Sequence, residues 1–194
     1  QPEAASSTAR LIVPQDTTPV LFTFSLSPER FYPAGDTLPD AEFRMYNPAR
    51  RTAVDYGTLG NIGSSARPLF FETIARKGFT SGFNAFDLYN LRPADLQFYR
   101  NSRSFTDLFF SQGRIQNDNM LRAKFSRTFA DGLNFSLNYS TFNHQGQFRY
   151  QAVKHTAFLA GIWYPLSPRY EFFFIYGRNS SKQQDNGGIV TDTL

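Results

Sequence analysis

The chain contains no cysteine, which excludes disulfides, thiolate metal ligands and cysteine nucleophiles. It has two histidines, His144 and His155. A metal site built on them would need further ligands, for which only Asp131 and Asp185 are weakly suited, so both rings are expected to be solvated in or beside a polar loop. No apolar run approaches the roughly 18 residues of a spanning helix, and any membrane crossing must be made by strands. Helical periodicity is convincing nowhere. A nucleic-acid stripe is missing too, because 20 Lys and Arg face 16 Asp and Glu for a net charge of +4 and the cations are scattered. No charged and apolar leader opens the chain, which starts Gln1-Pro2-Glu3-Ala4-Ala5, as a mature exported protein or a trimmed chain would.

Catalytic constellations are also wanting. Glu171 and Asp107 are carboxylates that could in principle pair, but nothing in their spacing brings them together. Ser64 and Ser111 lack a nucleophile-elbow context. The loop Leu59-Gly60-Asn61-Ile62-Gly63-Ser64-Ser65 has neither the Lys-Ser/Thr of a P-loop nor a third glycine, so it is expected to be a tight backbone passage against other chain. The expectation is a non-enzyme with no cofactor and no metal.

What the sequence does have is phenylalanine, 22 copies beside 10 tyrosines, and a long stretch of alternation from Asn119 to Arg178. Leu121, Ala123, Phe125 and Phe129 alternate with Arg122, Lys124, Ser126 and Thr128, the period of a strand with one apolar and one polar face. After Ala130-Asp131-Gly132, a hairpin signal, Leu133, Phe135, Leu137 and Tyr139 alternate with Asn134, Ser136, Asn138 and Ser140. Each run is about 10 residues, the length a tilted strand needs to cross a bilayer. Two further strands, Thr156–Tyr164 and Tyr170–Arg178, are joined by Pro165-Leu166-Ser167-Pro168-Arg169, where proline favours a turn. Short connectors thus alternate with longer polar ones over 143–154 and 180–188, the layout of an outer-membrane barrel. Phe129, Tyr139, Phe142, Trp163, Tyr164, Tyr170 and Tyr176 gather near strand ends, where aromatic rings suit membrane interfaces. A soluble β-sandwich would show the same half-buried alternation.

Three regions follow: a flexible arm over 1–18, an irregular β region over 19–104, and regular antiparallel strands over 105–194. In the irregular region short strands are expected at Val20–Leu26, Glu42–Tyr46, Leu69–Ile74 and Phe79–Tyr89, with turns over Phe31–Pro39. Leu96–Ser104 reads as a polar connector, and Phe105–Gly113 as the strand entering the regular array.

An ordered series of signatures carries a resemblance. Phe43-Arg44-Met45-Tyr46-Asn47-Pro48, Tyr56-Gly57-Thr58-Leu59-Gly60-Asn61-Ile62-Gly63-Ser64, Phe86-Asp87-Leu88-Tyr89, Phe98-Tyr99-Arg100, Phe105-Thr106-Asp107-Leu108-Phe109-Phe110-Ser111-Gln112-Gly113, Leu133-Asn134-Phe135-Ser136-Leu137-Asn138-Tyr139 and Gln145-Gly146-Gln147-Phe148 resemble, in order and spacing, the putative porin family of the Bacteroidetes outer membrane. The resemblance spans about residues 36–189. It implies an all-β antiparallel transmembrane barrel of the outer-membrane type, longer than this chain, with no assigned catalytic residues. It implies passive diffusion of small hydrophilic solutes, a location in the outer membrane, and as partners membrane lipid together with the remainder of the barrel or other outer-membrane subunits, but no nucleic acid. A surface-exposed β-sandwich binding or interaction module, or a structural component of an outer-membrane complex, is the alternative.

On the barrel reading, Arg122, Lys124, Ser126, Thr128, Asn134, Ser136, Asn138 and Ser140 are the pore-lining candidates, and Ser136→Arg is expected to be tolerated while Phe135→Arg is not. The last two strands carry apolar residues on both faces. Something must therefore cover their inner face, and chain from the first 100 residues folded inward is the expected cover.

Overall fold

The computed structural model describes residues 20–33, 55–71, 82, 84–100, 103–113, 118–146, 150–167 and 169–185. Among them it is all-β and antiparallel, with no α-helix and a single 3-10 turn at Pro93–Asp95. The expected strand at Glu42–Tyr46 lies outside the described residues.

The largest unit is a five-stranded meander formed by β6 (Phe105–Gln112), β7 (Asn119–Thr128), β8 (Asn134–His144), β9 (Val153–Ser167) and β10 (Tyr170–Gln183), hydrogen-bonded in the order β10-β9-β8-β7-β6. The β7–β8 hairpin closes as its sequence directs. Phe129 N–H donates to Leu133 O at 2.8 Å, Gly132 N–H donates to Phe129 O at 3.0 Å, and Gly132 takes φ +87°, which glycine adopts without Cβ strain. The sheet is open: β6 and β10 each have one neighbour among the described residues.

A second unit is built from β1 (Leu21–Phe24), β2 (Ser27–Pro33) and β5 (Gln97–Arg100) in the order β2-β1-β5. A small hairpin of β3 (Tyr56–Thr58) and β4 (Ala66–Pro68) completes the set. Both lie on one face of the meander and bury two apolar clusters against it. Leu96 and Phe98 meet Leu159 and Trp163 towards the short-turn end, and Ala66 and Tyr89 meet Met120, Phe142 and Val153 towards the other end. This is the cover demanded by the apolar residues on both faces of β9 and β10.

Several local expectations are corrected. Of the turns expected over Phe31–Pro39, residues 31–33 belong instead to the strand Ser27–Pro33, because β1 already reverses at Ser25-Leu26 and the returning segment pairs with it, and residues 34–39 lie outside the described residues. Leu69–Phe71 and residues 84–89 are turns and bends, the latter stabilised by Asp87 N–H to Asn84 O and Tyr89 N–H to Phe86 O. The segment read as a polar connector contains β5, whose Phe98 is wholly buried. Here a short apolar pair between polar ends packs against partners distant in sequence, and local pattern misses it. Strands β9 and β10 are longer than their alternation, 15 and 14 residues. They run into both flanking segments, and Pro165 stays within β9 beside a register shift at Tyr170/Glu171, a bulge position that tolerates proline.

The glycine loop is the close passage its composition implied. Gly63, at φ +88°, would place a Cβ in collision with the Phe142 ring and 2.8 Å from Val153 Cγ1. Gly63→Ala is expected to cost about 2–4 kcal/mol from clash and strain together. Gly60→Ala, at φ +93° with nothing within 4 Å of the new atom, carries strain alone at about 1–2 kcal/mol. Urea unfolding of both variants in detergent checks this, and equal midpoints would remove the close approach.

Candidate functional site

The ladder registers put Arg122, Lys124, Ser126 and Thr128 of β7 on the same face as Asn134, Ser136, Asn138 and Ser140 of β8, with Ser126 opposite Ser136 and Lys124 opposite Asn138. This is the covered face of the meander. The eight pore-lining candidates are therefore brought together on one wall, but they divide by environment.

At the short-turn end the wall is dry. Asn134, Ser126 and Ser136 are at most 1% exposed, and Asn138 is 9% exposed. Strand β5 ends its own sheet among the described residues, and the buried main-chain groups of Tyr99 that face the meander must find partners. The wall supplies them from side chains. Asn134 Nδ2 donates to Tyr99 O at 2.7 Å, Thr128 Oγ1 donates to the same oxygen at 3.3 Å, and Tyr99 N–H donates to Ser126 Oγ at 3.3 Å. Asn134 Nδ2 also reaches Thr128 Oγ1 at 2.8 Å, while Asn134 Oδ1 accepts from Ser136 Oγ at 3.1 Å and Ser126 Oγ at 3.3 Å. The two serine hydroxyls lie 2.7 Å apart. The layer is a closed hydrogen-bond network that binds a strand edge-on.

Gly161 of β9 is opposite Ser136 and makes the same approach possible on the apolar side. A Cβ there would collide with Leu96 and come within 2.9 Å of Phe98 Cζ. Phe98 packs edge-on to Trp163 and Phe173, which stack in parallel at 5.9 Å.

Towards the other end the wall is only half-buried. Lys124 Nζ lies 3.8 Å from Asp107 Oδ2, and the Arg122 guanidinium sits 4.4 Å over the Phe109 ring. Each is a cross-strand pair in register with β6. His155 is not solvated: it is 1% exposed, stacked on Phe142 at 5.1 Å, with Nδ1 2.6 Å from Ser181 Oγ. Its place on the covered face of β9 puts it under the loop that carries Tyr89, whose phenol burial pushes above its ordinary range against the opposing effect of a backbone hydrogen bond with Gly63. His144 faces Asp118 at 3.9 Å. Among the described residues no group of three or more His, Cys, Asp or Glu could hold a metal. Asp107 and Glu171 sit on opposite edge strands, four ladder spacings or about 19 Å across the sheet, and the row of Asp107 meets β10 at Gly177, about 20 Å along the strand from Glu171, so they form no acid–base pair. Ser64 Oγ donates to Asn61 O at 2.7 Å and holds the glycine loop.

The opposite face is the reverse of a soluble surface. Leu108, Phe110, Phe172, Phe174 and Tyr176 are all at least half exposed there, with Leu108 at 68%. Phe125, Leu137, Ala160 and Ile162 fill the strands between. So large a contiguous apolar surface belongs against another apolar phase or partner. Phe142 and Trp163, expected among interfacial aromatics, are instead turned inward and buried at 4% and 7%, because their strand positions have the parity of the covered face.

Sequence reading missed Tyr99 and Gly161. Backbone groups leave no composition signal, whereas a lone glycine within an apolar strand does hint at close approach.

The described strands thus form an antiparallel sheet whose open face is apolar and whose covered face is polar on β7 and β8. The sequence model of the putative porin family matches residues 25–194, and the chain belongs to that family. It is also 34% identical over 109 residues to a putative laccase, laccase-17, of Oryza sativa subsp. japonica, a match that takes in 53% of this chain and 18% of that protein. The chain thus spans less than a fifth of this curated relative's length. No solved structure matches.

The dry layer yields a prediction. Asn134→Ala removes the shorter donor to Tyr99 O and is expected to cost about 1–3 kcal/mol, with faster tryptic cleavage at Arg103. Ser136→Arg, on an open-lumen reading harmless, is expected to be more damaging still, since it places a cation where 1% of the side chain is exposed. Unchanged proteolysis and stability in both variants would refute the latch.

Proposed function

We propose that the meander is an arc of an outer-membrane β-barrel, its open face against lipid and its covered face towards the lumen. In this reading the described residues between 20 and 100 form a plug on the wall, and the completed barrel lets small hydrophilic solutes diffuse passively across the outer membrane. The observation that carries it is the inverted two-facedness of the sheet, with phenylalanines exposed outside and a serine–asparagine layer buried inside.

Dimensions support the reading. On β9 the outward residues run from Phe158 to Leu166, about 27 Å along the strand and about 21 Å at the roughly 40° tilt of a barrel, close to the apolar band of about 25 Å. Five strands do not close a barrel, and eight would leave an interior just filled by side chains. The edges of β6 and β10 must therefore be paired by strands outside the described residues or by another subunit, because unpaired backbone in hydrocarbon costs several kcal/mol per group. Lys124, partly exposed beside Asp107, gives the uncovered part of the wall its cationic group, while Arg122 packs over Phe109, and this charge favours anions. A β-sandwich, with the β2-β1-β5 sheet as its second layer, is supported by the way that sheet packs on the meander, but it leaves the phenylalanine face in water.

Planar-bilayer recording of the full-length protein is expected to give stepwise conductance, with Lys124→Glu lowering anion preference in reversal-potential measurements. Phe135→Arg is expected to impair insertion by about 2–4 kcal/mol, the cost of a lipid-facing cation near mid-membrane, read as loss of the heat-modifiable folded band. A protein that stays monodisperse without detergent and inserts nowhere would overturn the reading.

A further inference from the structure

The rim of the sheet beyond the apolar band carries an arrangement that the barrel itself does not need. Lys154 of β9 and Lys182 of β10 are direct partners in the ladder, and Asn143 of β8 stands opposite Lys154 on the other side. Both lysines are exposed, on the open face, between inward-facing neighbours such as Val153 and His155. Like charges directly opposite each other in a sheet repel and destabilise it. The ion pairs among the described residues are Arg92–Asp95, Lys124–Asp107 and His144–Asp118, and neither lysine takes part in one.

A cavity of about 330 Å³ opens at this point, lined by Asn143, Gln145, Lys154, Lys182, Gln183 and Gln184 among others, with no carboxylate in its wall. Gln183 is already committed, accepting from Ser65 N–H and donating to Asp185. This holds Asp185, the acid nearest to Lys182 in sequence, on the terminal amide of β10 instead of on a lysine. Ala152 and Val153 form the apolar part of the lining, and His144 and the Gln145 N–H are held by Asp118, which leaves the two lysines and neutral amides as a donor set that fits a compact anion of two charges. Height adds the last element: Lys154 lies four residues beyond Phe158, about 10 Å above the apolar band once tilt is included, within reach of the headgroup layer.

We propose that Lys154 and Lys182, with Asn143 beside them, bind the phosphomonoester of a lipid headgroup at the outer rim of the wall. The inference rests on the reading that the open face meets lipid. The bound phosphate sits between the two ammonium groups and converts their repulsion into a bridge that staples β9 to β10.

The test reconstitutes the full-length protein in phosphatidylcholine vesicles with and without phosphatidic acid, re-extracts it in detergent, and measures retained lipid by native mass spectrometry. Phosphatidic acid is expected to be retained by the wild type and reduced about 30-fold in Lys154→Gln/Lys182→Gln, from the attraction of two lysines to an anionic headgroup, with insertion and conductance unchanged. Insertion without selective retention, or equal retention by the double variant, overturns the phosphate site and leaves the porin reading intact. Failure to insert into either vesicle overturns both. A parallel arm titrates inorganic phosphate into the detergent-solubilised protein: lysine-dependent binding as tight as that of phosphatidic acid would make the ligand free phosphate and overturn the lipid assignment.

Discussion

The structure depends on how the edge of β5 that faces the meander is satisfied. A strand laid across a sheet face cannot extend that sheet's ladder, so its outer backbone groups lose water and gain nothing unless the surface below offers donors and acceptors. Asn134, Thr128 and Ser126 offer both within 3.3 Å of Tyr99. Because the network closes on itself through Ser136, no buried polar atom of that layer depends on water. Removing any one member would strand the others in a dry layer, where an unmet hydrogen bond costs more than a formed one contributes.

Around this anchor the covered face is arranged by polarity. On β7 and β8 the contact is made by hydrogen bonds, and on β9 and β10 at the same height it is made by Leu96 and Phe98 against Leu159, Trp163 and Phe173. One short strand thus bridges a polar and an apolar surface, with Gly161 providing the clearance between them. Further contacts repeat the scheme: Asn179 exchanges two hydrogen bonds at 3.1 Å with the backbone of Leu91, and Asn61 Nδ2 donates to Gln151 O at 3.0 Å. In the proposed barrel this makes the polar wall a seat for the plug at one end and leaves only the stretch around Arg122 and Lys124 for passage.

The open face follows from the same alternation by exclusion. Once every second residue of the meander is committed to the covered side, its phenylalanines and leucines lie together on the open face, a surface that belongs against another apolar phase or partner. Membership of the putative porin family is consistent with that outcome.

The sequence by itself determined the meander. Strict alternation over 121–140 dictates which side chains share a face, Asp131-Gly132 dictates where the hairpin reverses, and the doubly apolar runs Ala157–Ile162 and Phe172–Ile175 require a cover. All three are local rules with a period of two residues, legible without coordinates. The eight wall residues were grouped correctly on one face for this reason. What only the tertiary structure decided is which of them stay wet. The exposure of Ser126 and Ser136 depends on β5, which joins them from 27 and 37 residues away through backbone atoms that every sequence shares. The burial of His155 likewise depends on β9 extending beyond its alternating core, and the burial of Phe142 and Trp163, whose side follows from strand parity, depends on the segments that land on that side. Such contacts are set by what lands on a surface and not by the surface's own pattern, so neither periodicity nor composition carries their signature.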